Sequence, residues 1–451
     1  MTKHWMKITA LAGMIVSTQL CMAADLSGDW IAQIAATGEP QYTRVSLKDN
    51  DGKLSGMWGE FKIDGTLTGA KFDIALSDAE GKPSGTLTGT LTGDTFTGTG
   101  TIAVTAVRAS SGGMGGGTAA ATAGRGGAGR DVNFTMAHAP VPPAKPREIH
   151  YDPTSFFAAY SAANKPELTI FPGDIVHTWT ADAGGVDAKG IQHRGGDSNI
   201  GPIYVEGALP GDTLAVHLLK VRTNRATARQ GFHLNAHAVT AAYLVGAQYD
   251  PAVDGQWTLL PDKGIAVPTH PSAHMKNYSV PMTPMLGCIS VAPQGDQQYR
   301  GGDLGPFGGN MDYNYNIEGT TLYFPVFHPG ALLGMGDGHA AMGDGEVVGS
   351  GLETSMDVDF SVDVIKGDSS GQVRAETKDY LITFGVTGSV PQSIQVATSQ
   401  LATWIKAKYN LSDSEVAILF ASELKYDITE LVDSRYNVAA KVPKSVLATM
   451  Q

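Results

Sequence analysis

Gly85-Thr86-Leu87-Thr88-Gly89-Thr90-Leu91-Thr92-Gly93 alternates threonine with leucine or glycine along its whole length. Successive side chains of a strand point to opposite faces, so this stretch sets its leucines on one face and its threonines on the other. The motif also stands upstream as Gly65-Thr66-Leu67-Thr68-Gly69, and the glycines read as turns. Asn50-Asp51-Gly52 and Glu80-Gly81 add hairpin signals. Several such strands a few residues apart predict a small antiparallel β meander or barrel over residues 25–139.

Working outward, residues 1–24 read as an export signal. Lys3 and Lys7 give a positive start, an apolar stretch runs from Ile8 to Val16 and beyond, and Ala23-Ala24 precede the expected cleavage point. The reading therefore predicts an exported protein, periplasmic or extracellular, without stable membrane insertion. Downstream of the repeats, SSGGMGGGTAAATAGRGGAGR (residues 110–130) is too poor in apolar bulk to order itself. Alternation resumes at Val132, Phe134 and Met136, so this tract reads as a long hairpin loop inside the first module. A proline-rich linker over residues 140–147 separates it from a second module, residues 148–451.

The chain has 451 residues, which suits two or three domains. Its 56 glycines favour turns and strands over long helices, and a net charge of −12 argues against a nucleic-acid partner. After removal of the signal, Cys288 is the sole cysteine, so no intrachain disulfide can form. The second module reads as mainly β up to about Val364. Near Tyr380 the texture changes: Tyr380 to Phe384 is a strand, then Ile394, Ala397, Leu401 and Ile405 recur at helical spacing. Ser412 and Glu415 form a capping-box pattern opening a second helix. A small α/β piece thus closes a β-sandwich or barrel body.

The densest polar constellation is Gly336-Asp337-Gly338-His339-Ala340-Ala341-Met342-Gly343-Asp344-Gly345-Glu346. Glycines permit tight turns that let several side chains face one centre. An imidazole among carboxylates suits zinc, whereas carboxylates and carbonyls alone would suit calcium. The alternative is a turn cluster with solvated charges. Cys288 lies among Leu286, Ile289 and Val291, the setting of a packing residue rather than a nucleophile. The i, i+4 pairs His233/His237 and His270/His274 fall in segments with weak helical signals and read as loop histidines.

Upstream of this constellation stand Gly308-Gly309-Asn310-Met311-Asp312 and Gly201-Pro202-Ile203-Tyr204-Val205-Glu206-Gly207-Ala208, followed by Pro210-Gly211-Asp212. In this order, and with Gly287-Cys288-Ile289-Ser290-Val291-Ala292-Pro293, the segments resemble those of the acetamidase/formamidase family over roughly residues 150–446. The resemblance implies hydrolysis of small linear amides such as formamide or acetamide, a divalent metal, and a homo-oligomer. It also implies site roles for Asp337, His339, Asp344, Glu346, Asn310 and Asp312, with Asp182 as a further acidic position. A bound divalent ion can polarise a carbonyl and acidify a water, and a neighbouring carboxylate can carry the proton to nitrogen. On this reading His339 and carboxylates drawn from Asp182, Asp337, Asp344 and Glu346 are ligands. A remaining carboxylate is the base, and Asn310 and Asp312 orient the amide. The competing expectation is an exported, non-enzymatic binder whose barrel holds a glycan or lipid and whose acidic loop holds structural calcium.

Overall fold

The computed structural model describes residues 26–35, 39–103, 129–369 and 371–450. The expected export signal lies outside the described residues, as does most of the Gly/Ala tract. The protein is mainly β and forms two compact units.

The first unit is a closed barrel of eight strands taken in sequence order, from Gly28–Ala35 to Arg130–His138. Alternation is strict where it is easiest to see. Phe61–Thr68 buries Phe61 and Ile63, Lys71–Ser77 buries Phe72, Ile74 and Leu76, and Arg130–His138 buries Val132, Phe134 and Met136. The strands flanking the Gly/Ala tract pair antiparallel, from Thr95 opposite Ala137 to Ile102 opposite Arg130. Closure removes the open edges that such strands would otherwise present. Not every glycine of the repeats is a turn. Gly89 lies within a strand, and a β-carbon there would come within 2.7 Å of the Phe72 ring. It makes room for an aromatic core in which Phe72 and Phe96 meet edge-on at 5.0–5.1 Å from their neighbours Phe96 and Trp30. The interior is filled by side chains, with Trp30, Trp58, Phe72, Phe96 and Phe134 all buried. That filling leaves the barrel lumen as a packed core, against the expectation of a glycan or lipid inside it.

The second unit is built on a six-stranded and a nine-stranded sheet that share one apolar core, in which Ile200, Leu286 and Met335 meet Leu214, Phe324 and Phe360. The central strand of the six is Leu333–His339, which runs antiparallel to Asn199–Val205 on one side and Met285–Ser290 on the other. Every residue of Leu333–His339 is buried, Asp337 and His339 included. The C-terminal helices form where the periodicity places them. Val390–Tyr409 turns Ala397, Leu401 and Ile405 inward, and Asp413–Glu423 starts at a complete capping box between Ser412 and Glu415. They cover strands Tyr380–Thr387 and Tyr436–Pro443, which are themselves members of the nine-stranded sheet. The α/β tail is thus an extension of that sheet. A separate four-stranded sheet spans Thr227–Arg229 to Val280–Pro281.

Candidate active site

The residues that converge do so because three of them leave ordinary backbone conformation. Asp312 (φ 41°), Asp337 (φ 57°) and Glu346 (φ 47°) are left-handed. Non-glycine residues are uncommon there, and such strain collects at functional sites. Asp312 follows the short strand Gly308–Asn310, which pairs with Met285–Ser290 through Asn310 opposite Cys288. Gly287, on that same strand, is held to glycine by the site. A β-carbon would stand 2.4 Å from Asp312 Oδ1 and 2.5 Å from Asp337 Oδ2.

His339 is fully buried, and its Nε2 faces four carboxylates: Glu353 Oε1 at 3.1 Å, Asp337 Oδ1 at 3.3 Å, Glu346 Oε1 at 3.9 Å and Asp312 Oδ1 at 4.0 Å. Glu430 joins Asp312 and Glu346 in a neighbouring trio. The electrostatics follow from crowding charges away from water. Burial and the adjacent Asp337 charge hold Asp312 well above the usual carboxylate range, and burial with Asp312 does the same to Glu346. Glu353 is raised to about 7 by burial, with His339 pulling the other way. Burial also pushes Asp337 up, but His339 outweighs it and holds this carboxyl below its ordinary value. Burial alone would lower His339; the Glu353 and Asp337 charges raise it well above an ordinary imidazole.

This donor set fits a divalent ion. Ligands each about 2 Å from one ion lie no more than about 4 Å apart, and the distances around Nε2 fall within that limit. Both oxygens of Asp312 and one of Glu353 are buried without a hydrogen-bond partner, a costly state for carboxylates unless a cation or proton satisfies them. Asp312, Asp337 and His339 form one group whose ligand atoms lie within reach of a common centre; His339, Glu346 and Glu353 form another.

Of the residues expected from sequence, Asp337, His339, Glu346 and Asp312 come together. Asn310 borders them, its Oδ1 accepting from Cys288 Sγ at 2.7 Å and its Nδ2 donating to Asp433 at 2.9 Å. Two residues stand apart. Asp344 is exposed and accepts from Asn314 Nδ2 at 2.7 Å, because the turn that folds Glu346 inward points its neighbour outward. Asp182 pairs with Arg225 and caps the Val186 amide at 2.8 Å, so its charge is already satisfied. Sequence reasoning missed Glu353, Glu430, Asp433 and Asp197. Asp197 is raised to about 7 by burial and by Asp337, and it ends the His193-Arg194-Gly195-Gly196-Asp197 run, whose paired glycines were its one visible signal. Cys288 is buried as expected, but it touches the site: Tyr160 donates to its sulfur at 3.2 Å, and Asp337 Oδ2 lies 3.7 Å away. The loop histidines His233, His237 and His270 are exposed, His270 pairing with Asp254.

Residues 306–402, which carry Asn310, Asp312, Asp337, His339, Glu346 and Glu353, match the Acetamidase/Formamidase family. A 119-residue stretch is 30% identical to the acetamidase of Mycolicibacterium smegmatis, covering 26% of this chain and 26% of that one. The chain thus spans about a quarter of this curated relative. Likeness in fold is broader. A recombinant predicted acetamidase/formamidase from Thermoanaerobacter tengcongensis superposes with a TM-score of 0.57 at 27% identity, covering 67% of this chain and 98% of that one. An acetamidase from Yersinia enterocolitica gives 0.57 at 25% identity, covering 67% and 94%.

Proposed function

We propose that the second unit hydrolyses linear amides with the aid of a divalent metal, zinc by the chemistry of its donors. The observation that carries this is His339 Nε2 ringed by Asp312, Asp337, Glu346 and Glu353 inside a segment that matches an amidase family. An imidazole is a natural zinc ligand and an unusual one for calcium. That favours the hydrolase over a binder with a calcium loop.

Amide hydrolysis forms a C–O bond, breaks the C–N bond, and moves one proton from water to the departing nitrogen. Asp312, Asp337 and His339 would hold the ion, with Glu346 beside them. When bound, it supplies carbonyl polarisation and a more acidic water. Glu353 is the proton carrier by its position: its carboxyl lies 3.1 Å from His339 Nε2 at the edge of the proposed ion site. Its Oε1 is fixed by the Gly351 amide at 2.9 Å, while Oε2 is unpartnered and free to hold that proton. Asn310 is engaged at both ends, by Cys288 and Asp433, so it orients substrate only by yielding one of those bonds. The Cys288 thiol is pushed well up by burial and by Asp337, which makes it a poor nucleophile.

His339→Ala should lower bound divalent metal and abolish ammonia release with the fold intact, whereas Cys288→Ala should keep turnover within about tenfold. The reverse pattern would replace this mechanism by a thiol one. Export and self-association belong to the same proposal. Lys3, Lys7 and the following apolar stretch support the first, and the exposed Tyr243 and Val245 support the second. Among the described residues no helix is long and apolar enough to cross a membrane. Intact mass from an exporting host and mass in solution test both.

A further inference from the structure

Strand Lys425–Glu430 brings one more carboxylate to the buried cluster. It pairs with Tyr436–Pro443, and the register shifts between Ile428 and Glu430. Irregularities of this kind re-aim side chains, and Glu430, at the strand's end, is fully buried. Its Oε1 accepts from the Val432 amide and from the Asp433 amide, the latter at 3.0 Å. Its Oε2 is buried and has no partner. One oxygen therefore anchors the side chain, while the other is held out of water with nothing to satisfy it, a costly state for a carboxylate. Asp312, also fully buried, is in that state at both oxygens.

These oxygens share a centre that does not use His339. Ligand atoms of Asp312, Glu346 and Glu430 lie within 4.8 Å of one another, and among the described residues Glu430 forms no such group with Asp337 or His339. The two groups that contain His339 both draw on its Nε2, the nitrogen that faces Asp312, Asp337, Glu346 and Glu353. One ring nitrogen offers one lone pair, so those two groups are alternatives for a single ion. The Glu430 group needs no imidazole and can hold another ion at the same time, with Asp312 giving one oxygen to each. Charge favours this. Asp312, Asp337, Glu346, Glu353 and Glu430 are five carboxylates around one imidazole; one divalent ion offsets two of their charges and a second offsets four. Paired ions in hydrolytic sites stand about 3.5–4 Å apart, a span that one carboxylate can bridge.

We propose that the cluster holds two divalent ions, the second a hard cation of the manganese, magnesium or calcium type bound by Asp312, Glu346 and Glu430. Three carboxylates without nitrogen or sulfur favour such ions over zinc. The second ion accompanies the one assigned to His339, and so rests on that reading. The full chain, freed of metal by a chelator, is given one equivalent of Zn2+ and then Mn2+. Metal content after gel filtration and the electron paramagnetic resonance of free Mn2+ are the readouts. Wild type should retain about one zinc and about one manganese per chain. Glu430→Gln keeps an oxygen for the Val432 and Asp433 amides, and should weaken Mn2+ binding about tenfold or more while zinc stays. Glu346→Gln leaves the turn after Glu430 untouched and should do the same, so a folding defect in one variant does not decide the outcome. Asp312→Asn should weaken both ions. Zinc retained without manganese overturns the inference and leaves the first ion standing. So does manganese that neither Glu430→Gln nor Glu346→Gln weakens. Manganese lost with Glu430→Gln, in a chain whose zinc is unchanged by His339→Ala, keeps the carboxylate site and overturns the His339 reading. No ion retained overturns both.

Discussion

The two units bury opposite kinds of matter. Among the described residues of the barrel, Ser84 is the one buried polar residue, and the rest of the interior is apolar. The second unit buries Asp174, Asp182, Asp187, Asp212, Asp312, Asp337, Glu346 and Glu430. Some of these carboxylates are explained by local bonds: Asp212 accepts from the Leu209 and Gly367 amides, and Asp174 from Arg147 and Phe171. Asp312, beside His339, is not, since it has no partner at either oxygen. A buried carboxylate with bonds holds a structure together, while one without them is maintained for something that binds. The difference therefore sets the partnerless carboxylate of the proposed site in the second unit, while the described interior of the barrel is a packed apolar core.

The sharpest way to break that contrast is to close the site without touching a charge. Gly287→Ala puts a methyl against Asp312 and Asp337, forcing the carboxylates apart. Displacements of this kind cost about 10²-fold or more in rate, so ammonia release and bound metal should both collapse, with a stability loss of about 1–3 kcal/mol from overpacking. An active, metal-bearing Gly287→Ala would mean that the converging carboxylates are not the working site.

The contrast also explains what could be read from sequence. The barrel was legible because one rule governs it. Phe61, Ile63 and Phe72, Ile74, Leu76 alternate inward, and hairpin turns separate them. The capped helix at Ser412 was legible for the same local reason. Asp337, His339 and Glu346 were visible as a run, since glycines and carboxylates in one loop are a local signal. Glu353, Glu430 and Asp197 were not, because each arrives from a different strand or loop and only the sheet pairing brings it in. Asp344 misled for the converse reason: proximity in sequence to Glu346 says nothing about which side of a left-handed turn a side chain leaves.

From the barrel's side, the comparison sharpens with Phe96→Ala. Phe96 is fully buried and stacks edge-on with both Trp30 and Phe72. Its truncation should destabilise the barrel by about 3–5 kcal/mol, read as an earlier denaturant transition. Ammonia release by the second unit should persist. Loss of activity in step with barrel unfolding would show that the barrel contributes more than its own stability.

The smallest effect tests the bonded class of buried carboxylate. Asp174 is fully buried and accepts from the Arg147 amide at 2.8 Å, from Arg147 Nε at 3.1 Å and from the Phe171 amide at 2.9 Å. Burial raises its pKa, but the Arg147 and backbone hydrogen bonds outweigh this and hold it below the ordinary carboxylate value. A folded-state pKa below the unfolded one means that the unfolded chain binds the proton more readily. The stabilisation is therefore complete above the unfolded value of about 3.9 and fades as pH falls through the folded one. Asp174→Asn keeps the shape and one acceptor, and Arg147 is 43% exposed, so solvent screens part of the pair. The variant should lose about 1–2 kcal/mol at neutral pH. That gap should shrink on acidification below about pH 4, read from denaturant midpoints across pH. A gap that stays constant would mean that Asp174 acts through its shape alone, and that the line drawn between bonded carboxylates and those around His339 does not rest on charge.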